Sequence, residues 1–164
     1  MLFLYNLIIQ IASFLLKIVA VFSPKIKLFV EGRKSIFEIL ESEISVTDKT
    51  IWFHSASLGE YEQGLPVIER IKEKFPNHKI VVTFFSPSGY EVRKNNLVAD
   101  VTVYLPLDTK KNALQFLSIV RPEMVFSFAL ISDSKISKTD LRPSTKSLIF
   151  GLNTATIFNK KLAI

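Results

Sequence analysis

From Thr50 onward, apolar and polar positions alternate in blocks. Thr50–His54 is a short apolar run, and Glu60–Phe75 carries apolar residues at helical spacing until Pro76-Asn77 closes it. Lys79–Phe85 is a second apolar run, rich in β-branched and aromatic residues. Ser88–Asn95 then predicts a short helix, Asp100–Leu105 a third strand, Thr109–Val120 a helix and Glu123–Phe128 a fourth strand. Strands alternating with helices of this size predict an α/β domain on a Rossmann-like parallel sheet. Because the strands are apolar nearly throughout, rather than at every second position, that sheet is expected to be covered on both faces.

The chain ahead of this block has a different pattern. Met1 to Ser23 is apolar apart from Asn6, Gln10, Ser13 and Lys17. At about 100° per residue those four fall on one stripe of a helix, with Leu, Ile, Phe, Val and Ala around the rest. Such a helix can lie in a bilayer interface with the stripe toward water, or span the bilayer with the stripe against protein. Lys17 favours the interfacial placement, since a central charge in a lone span costs roughly 3 kcal/mol. Lys25, Lys27, Arg33 and Lys34 follow, a basic flank expected on the cytoplasmic side beside anionic headgroups. A buried core helix is the alternative. A cleaved leader is disfavoured, because no basic residue precedes the apolar run and no small-x-small cleavage site follows it. Ile36, Phe37, Leu40 and Ile44 then predict one connecting helix over Glu31 to Ile44.

The expected organisation is an anchor helix over residues 1–24, a basic connector with a helix over 25–49, the Rossmann-like domain over 50–128, and an irregular basic tail over 129–164. The tail has no sustained period of either kind, apart from a candidate strand at Ser147–Gly151. Charge supports that division. The chain is +6 overall, but residues 1–126 are net +2 and residues 127–164 net +4. The folded part is therefore nearly balanced, and with no basic–aromatic interleaving or known binding motif, nucleic acid is not an expected partner. The absence of cysteine removes disulfides, thiolate metal sites and cysteine nucleophiles, and two separated histidines argue against a histidine metal site. No Walker, G-x-G-x-x-G or nucleophile-elbow spacing occurs, which argues against nucleoside triphosphate and serine hydrolysis.

Candidate chemistry lies in two loops that leave the predicted carboxyl ends of neighbouring strands, where α/β proteins bind ligands. The first is Ser55-Ala56-Ser57-Leu58-Gly59, leading to Glu60, whose carboxylate could take a proton from a substrate hydroxyl. Ser57-x-x-Glu60 is also a capping box, and the two roles compete for the same oxygens. Spacing alone favours the cap. The second loop is Ser86-Pro87-Ser88-Gly89-Tyr90-Glu91, with a second capping-box pattern at Ser88-x-x-Glu91 and a helix amino terminus suited to an anion. Two ordinary strand-to-helix turns are the alternative reading of the pair. His54 is expected to be a hydrogen-bonded structural residue, His78 a solvated turn residue, and Asp108 a helix cap.

The blocks Val30-Glu31-Gly32-Arg33-Lys34, Trp52-Phe53-His54-Ser55-Ala56-Ser57-Leu58-Gly59-Glu60, Thr83 to Glu91 and Asp100 to Asp108 carry a longer signal. From about Tyr5 to Phe126 the chain resembles the amino-terminal half of the 3-deoxy-D-manno-octulosonate (Kdo) transferases of lipopolysaccharide synthesis. The resemblance implies a membrane-associated, inverting transferase of the two-domain GT-B type at the cytoplasmic face of the inner membrane. It would move Kdo from CMP-Kdo to a lipid A precursor, with neither metal nor cofactor. Glu60 would be the catalytic base, and Ser55, Ser57, Gly59, Ser86, Ser88, Gly89 and Tyr90 would shape the acceptor side. The family's pattern departs after Phe126, where a second domain holding most of the donor site is expected and Ser127-Phe128-Ala129 and the basic tail stand instead. The expectation is a truncated transferase, inactive alone, in which CMP-Kdo binds only if a second domain is supplied. A membrane-anchored module that binds the acceptor lipid without catalysis is the alternative.

Overall fold

The computed structural model describes residues 18–95 and 97–128, with Tyr5, Ile8, Ile11, Leu15 and Leu16 ahead of them. The tail over 129–164, with its candidate strand, lies outside the described residues, as do Lys17 and most of residues 1–14. The chain order is α1 (Pro24–Glu31), α2 (Ile36–Glu43), β1 (Lys49–Ser55), α3 (Leu58–Lys74), β2 (His78–Phe84), α4 (Pro87–Arg93), β3 (Val101–Tyr104), α5 (Lys110–Val120) and β4 (Pro122–Phe128).

The strands form one parallel sheet, as the alternating pattern predicts, and their order is β3-β2-β1-β4. β1 is central and buried along all but its first residue, because helices cover both faces. On one face Trp52, Val81, Val103 and Phe116 pack with Ile36 and Leu40 of α2. On the other, Ile51, Phe53, Val82, Phe84 and Phe126 pack under Tyr61, Ile68 and Ile71 of α3. The chain runs outward from β1 to β2 and β3, then crosses back through α5 to place β4 on the opposite side of β1. That reversal is a topological switch point, and open α/β sheets bind ligands beyond the carboxyl ends of the strands at such a point, here that of β1.

The helix expected over Glu31 to Ile44 forms as α2, shortened at its start, and a further helix, α1, stands ahead of it in the segment read as connector. α1 begins with Pro24 at its first turn, where a missing N–H costs nothing, and ends at Gly32. A Cβ on Gly32 would stand 2.2 Å from Cε2 of Tyr104, so the break is where the chain crosses the end of β3. The segment read as basic connector is therefore largely helical. Ahead of α1, the described residues Tyr5, Ile8, Ile11, Leu15, Leu16, Ile18 and Val19 are helical. Among the described residues no helix is long and apolar enough to cross a membrane.

Two smaller expectations also change. Thr109, not Asp108, caps α5, its hydroxyl accepting from Asn112 N–H at 3.2 Å. Asp108 accepts instead from the Tyr5 hydroxyl. His78 is not a solvated turn residue. It opens β2, packs edge-on against Phe75, and its Nε2 lies 2.9 Å from Glu123 Oε2 on β4.

Candidate functional site at the carboxyl edge of the sheet

The two candidate loops leave adjacent strands and are tied together by backbone. Phe85 N–H donates to Ser55 O at 3.1 Å and Ser86 N–H to Ala56 O at 3.0 Å, so the parallel ladder continues past the strand ends. The loop spacing is thus held by the same kind of bond that holds the sheet.

Ser57 caps α3, its hydroxyl accepting from Glu60 N–H at a long 3.4 Å. The return half of the capping box is displaced by one residue, because Glu60 Oε2 accepts from Ala56 N–H, at 2.6 Å, rather than from Ser57. Oε1 of Glu60 takes no hydrogen bond among the described residues, and the side chain is half-buried. The cap and a substrate hydroxyl therefore need not compete, since each has its own oxygen. Gly59 is exposed in the first turn of α3.

Ser55 is the last residue of β1 rather than the first of the loop, and is fully buried. Its Oγ has no hydrogen-bond partner, an uncompensated group directly beneath the loop. In the second loop Ser86, not Ser88, is the cap residue of α4, and the expected Ser88–Glu91 box does not form. The two hydroxyls lie 3.0 Å apart, while the Glu91 carboxylate accepts from Lys94 Nζ at 2.7 Å and Tyr104 OH at 3.3 Å. Those partners lie outside the loop, and they draw the carboxylate away from the helix amino terminus. Gly89 is buried, and a Cβ there would meet Cδ1 of Phe84 at 2.3 Å. Tyr90 packs on Tyr104 with ring centroids 4.1 Å apart, and burial raises its phenol pKa.

Beneath the first loop, on the face opposite Ser55, is a buried polar cluster. Trp52 Nε1 donates to Thr83 Oγ1 at 2.8 Å, and His54 Nδ1 lies 3.2 Å from Thr83 O and 3.0 Å from its Oγ1. A carbonyl partner requires the proton on Nδ1. Burial pushes the His54 pKa down to about 4, the Thr83 carbonyl offsetting only part of the shift. His54 is thus a neutral structural imidazole. An unfolded chain takes up this proton near pH 6.5 and the folded one only near 4. The stability His54 contributes is whole above the unfolded value and is lost as pH falls through that window, by up to about 3 kcal/mol. Urea unfolding at pH 7 and 4.5 should show a smaller loss in His54→Gln than in the parent. Equal losses would refute this coupling.

Arg33, which the sequence offers as part of a basic flank and of the Val30–Lys34 block, reaches the same edge. It donates to Phe85 O in the second loop and to Leu105 O after β3. Neither pattern predicts these contacts, whose acceptors lie far along the chain. Among the described residues no cluster of three His, Asp or Glu side chains could hold a metal ion.

The sequence profile of the 3-deoxy-D-manno-octulosonic-acid transferase (kdotransferase) family matches residues 29–130, which takes in β1 to β4 and both loops. The chain belongs to that family. Kdo transferases similar to it include one from Chlamydophila psittaci, 36% identical over 89 residues, which are 50% of this chain and 21% of the relative. One from Chlamydia pneumoniae is 31% identical over 112 residues, 62% of this chain and 25% of the relative. A probable mitochondrial Kdo transferase of Arabidopsis thaliana is 37% identical over 76 residues, 46% of this chain and 17% of the relative. The chain thus spans a quarter or less of the length of these relatives.

Proposed function

We propose that the described domain is the acceptor-side half of a Kdo transferase of the GT-B type, serving lipopolysaccharide synthesis. The reaction moves Kdo from CMP-Kdo to a hydroxyl of a lipid A precursor. Glu60 takes the hydroxyl proton on its uncommitted Oε1 as the acceptor oxygen bonds to the anomeric carbon. The bond from that carbon to the CMP phosphate oxygen breaks, and CMP leaves with the electron pair. The observation that carries this reading is the position of Glu60 in the first turn of α3, just past the carboxyl end of β1 where the strand order reverses, with one oxygen spent on Ala56 and the other uncommitted.

The acceptor is a lipid, and the amino-terminal segment suits a lipid surface. Ile8, Ile11, Leu15, Ile18 and Phe22 recur at helical spacing and are all exposed. They are followed by Lys27 and Lys34. An apolar stripe of Ile8, Ile11, Leu15 and Ile18 with this basic flank suits the interface of an anionic leaflet, and supports a seat for the domain at the cytoplasmic face of the inner membrane. The Ser55–Gly59 and Ser86–Tyr90 loops form the acceptor side. The donor is held by a second domain, supplied beyond the matched residues.

A polypeptide of these 164 residues, tested alone in membranes with CMP-Kdo and lipid A precursor, is expected to retain acceptor and transfer no Kdo. Transfer by that polypeptide would sink the two-domain part of this reading. Failure to retain acceptor would sink the acceptor-side assignment.

A further inference from the structure

Arg33 stands just past the carboxyl end of α1, and its donors reach three separate segments. Nη1 donates to Phe29 O at 2.8 Å, Nε to Leu105 O at 3.0 Å and Nη2 to Phe85 O at 2.7 Å. The guanidinium carbon lies 3.6 Å from the ring centroid of Phe29, 4.8 Å from that of Tyr104 and 5.4 Å from that of Phe85. Among the described residues no carboxylate pairs with it, although Glu31 is two positions away. A cation without a counter-charge, set among aromatic faces and bonded only to backbone, acts as a joint between segments. The planar fork makes the joint specific, because an ammonium is compact and cannot address three carbonyls spread around one plane.

Phe85 immediately precedes Ser86, the cap of α4, and Leu105 follows the end of β3. We propose that Arg33 is a positioning residue for the acceptor side, fixing the direction in which the Ser86–Tyr90 loop leaves the sheet by holding the Phe85 and Leu105 carbonyls against α1. This rests on the reading of that loop as acceptor-binding. It adds a coupling as well. α1 follows the apolar segment proposed to meet the lipid after a turn at residues 20–22, and Phe29 packs edge-on against Phe85 at 5.4 Å. The seat of the amino terminus and the shape of the loop are therefore set by the same side chain.

The test compares the full chain with Arg33→Gln and Arg33→Lys in detergent micelles, following backbone amide shifts and the affinity for lipid A precursor. Both variants are expected to move the amides of Phe85, Ser86, Ser88, Gly89, Tyr90, Leu105 and Leu107 while those of Ile51–His54 and Ser57–Glu60 stay in place. Acceptor affinity should fall about tenfold in both, the equivalent of one charge-assisted bond lost. Lysine should not rescue. Should Arg33→Gln unfold, Arg33→Lys, which keeps stem and charge, carries the comparison. Unmoved loop amides, or full rescue by lysine, would overturn the proposal. A parent chain that binds no acceptor would overturn the acceptor reading instead, and the amide shifts would still decide whether Arg33 positions the loop.

Discussion

Phe53→Ala is expected to lower the unfolding free energy by about 3–5 kcal/mol, the range for truncating a buried aromatic. Phe53 is 1% exposed and sits midway along the central strand. Its ring is stacked on Phe126 at 4.9 Å and on Phe128 at 5.8 Å, both from β4. β2 and β4 hydrogen-bond to either side of β1. The backbone around the lost ring therefore cannot close in, and the cavity term stays nearly whole. A domain of this size is stable by roughly 5–15 kcal/mol, so the loss is a large part of the total. Val46→Ala is the control, since Val46 is 84% exposed, and should stay within about 0.5 kcal/mol. Urea unfolding followed by circular dichroism decides the matter. A loss below about 1 kcal/mol in Phe53→Ala would mean that β4 is not docked as described.

How much of this was legible in the sequence depends on which interactions are local. The four strands were, to within a residue or two, because strands buried on both faces must be apolar throughout. α3 and α5 were legible from their periodicity. α1 and its end at Gly32 were not, since that end answers to Tyr104, seventy-two positions away along the chain. Capping signals failed where two candidates stood side by side. Thr109 and Asp108 are both good caps, and a distant Tyr5 hydroxyl takes the carboxylate. Ser88-x-x-Glu91 is a sound box by spacing, but Tyr104 and Lys94 compete for its carboxylate. His78 read as solvated because Pro76-Asn77 marks a turn, whereas the β4 edge supplies Glu123 from across the sheet.

The candidate site shows the same division. Glu60 and its loop were visible, as were the two competing roles of the carboxylate. The split between its oxygens was not, because it depends on the loop turning Ala56 N–H back toward the helix. Neither could the switch point be read, since strand order is a property of the crossover through α5. The same holds for Arg33, whose three acceptors come from segments up to seventy-two residues away.

The split between the Glu60 oxygens allows the reaction and the fold to be tested separately. Once a donor domain is supplied, Glu60→Gln is expected to slow Kdo transfer by about 10²–10⁴-fold, the usual contribution of a general base. The amide keeps a carbonyl oxygen that can accept from Ala56 N–H, so the loop should hold its shape. Removing the charge from the first turn of α3 costs only about 0.3–1 kcal/mol. Acceptor affinity should therefore change little while turnover collapses. Glu60→Ala would mix the two effects, because it also removes the acceptor of a cap worth about 0.5–2 kcal/mol. Glu60→Asp keeps the charge on a stem shorter by one methylene, and should satisfy the cap or the substrate hydroxyl but not both. It is expected to bind acceptor and turn over slowly. Turnover in Glu60→Gln within about threefold of the parent would remove Glu60 as the base and leave it a capping residue only.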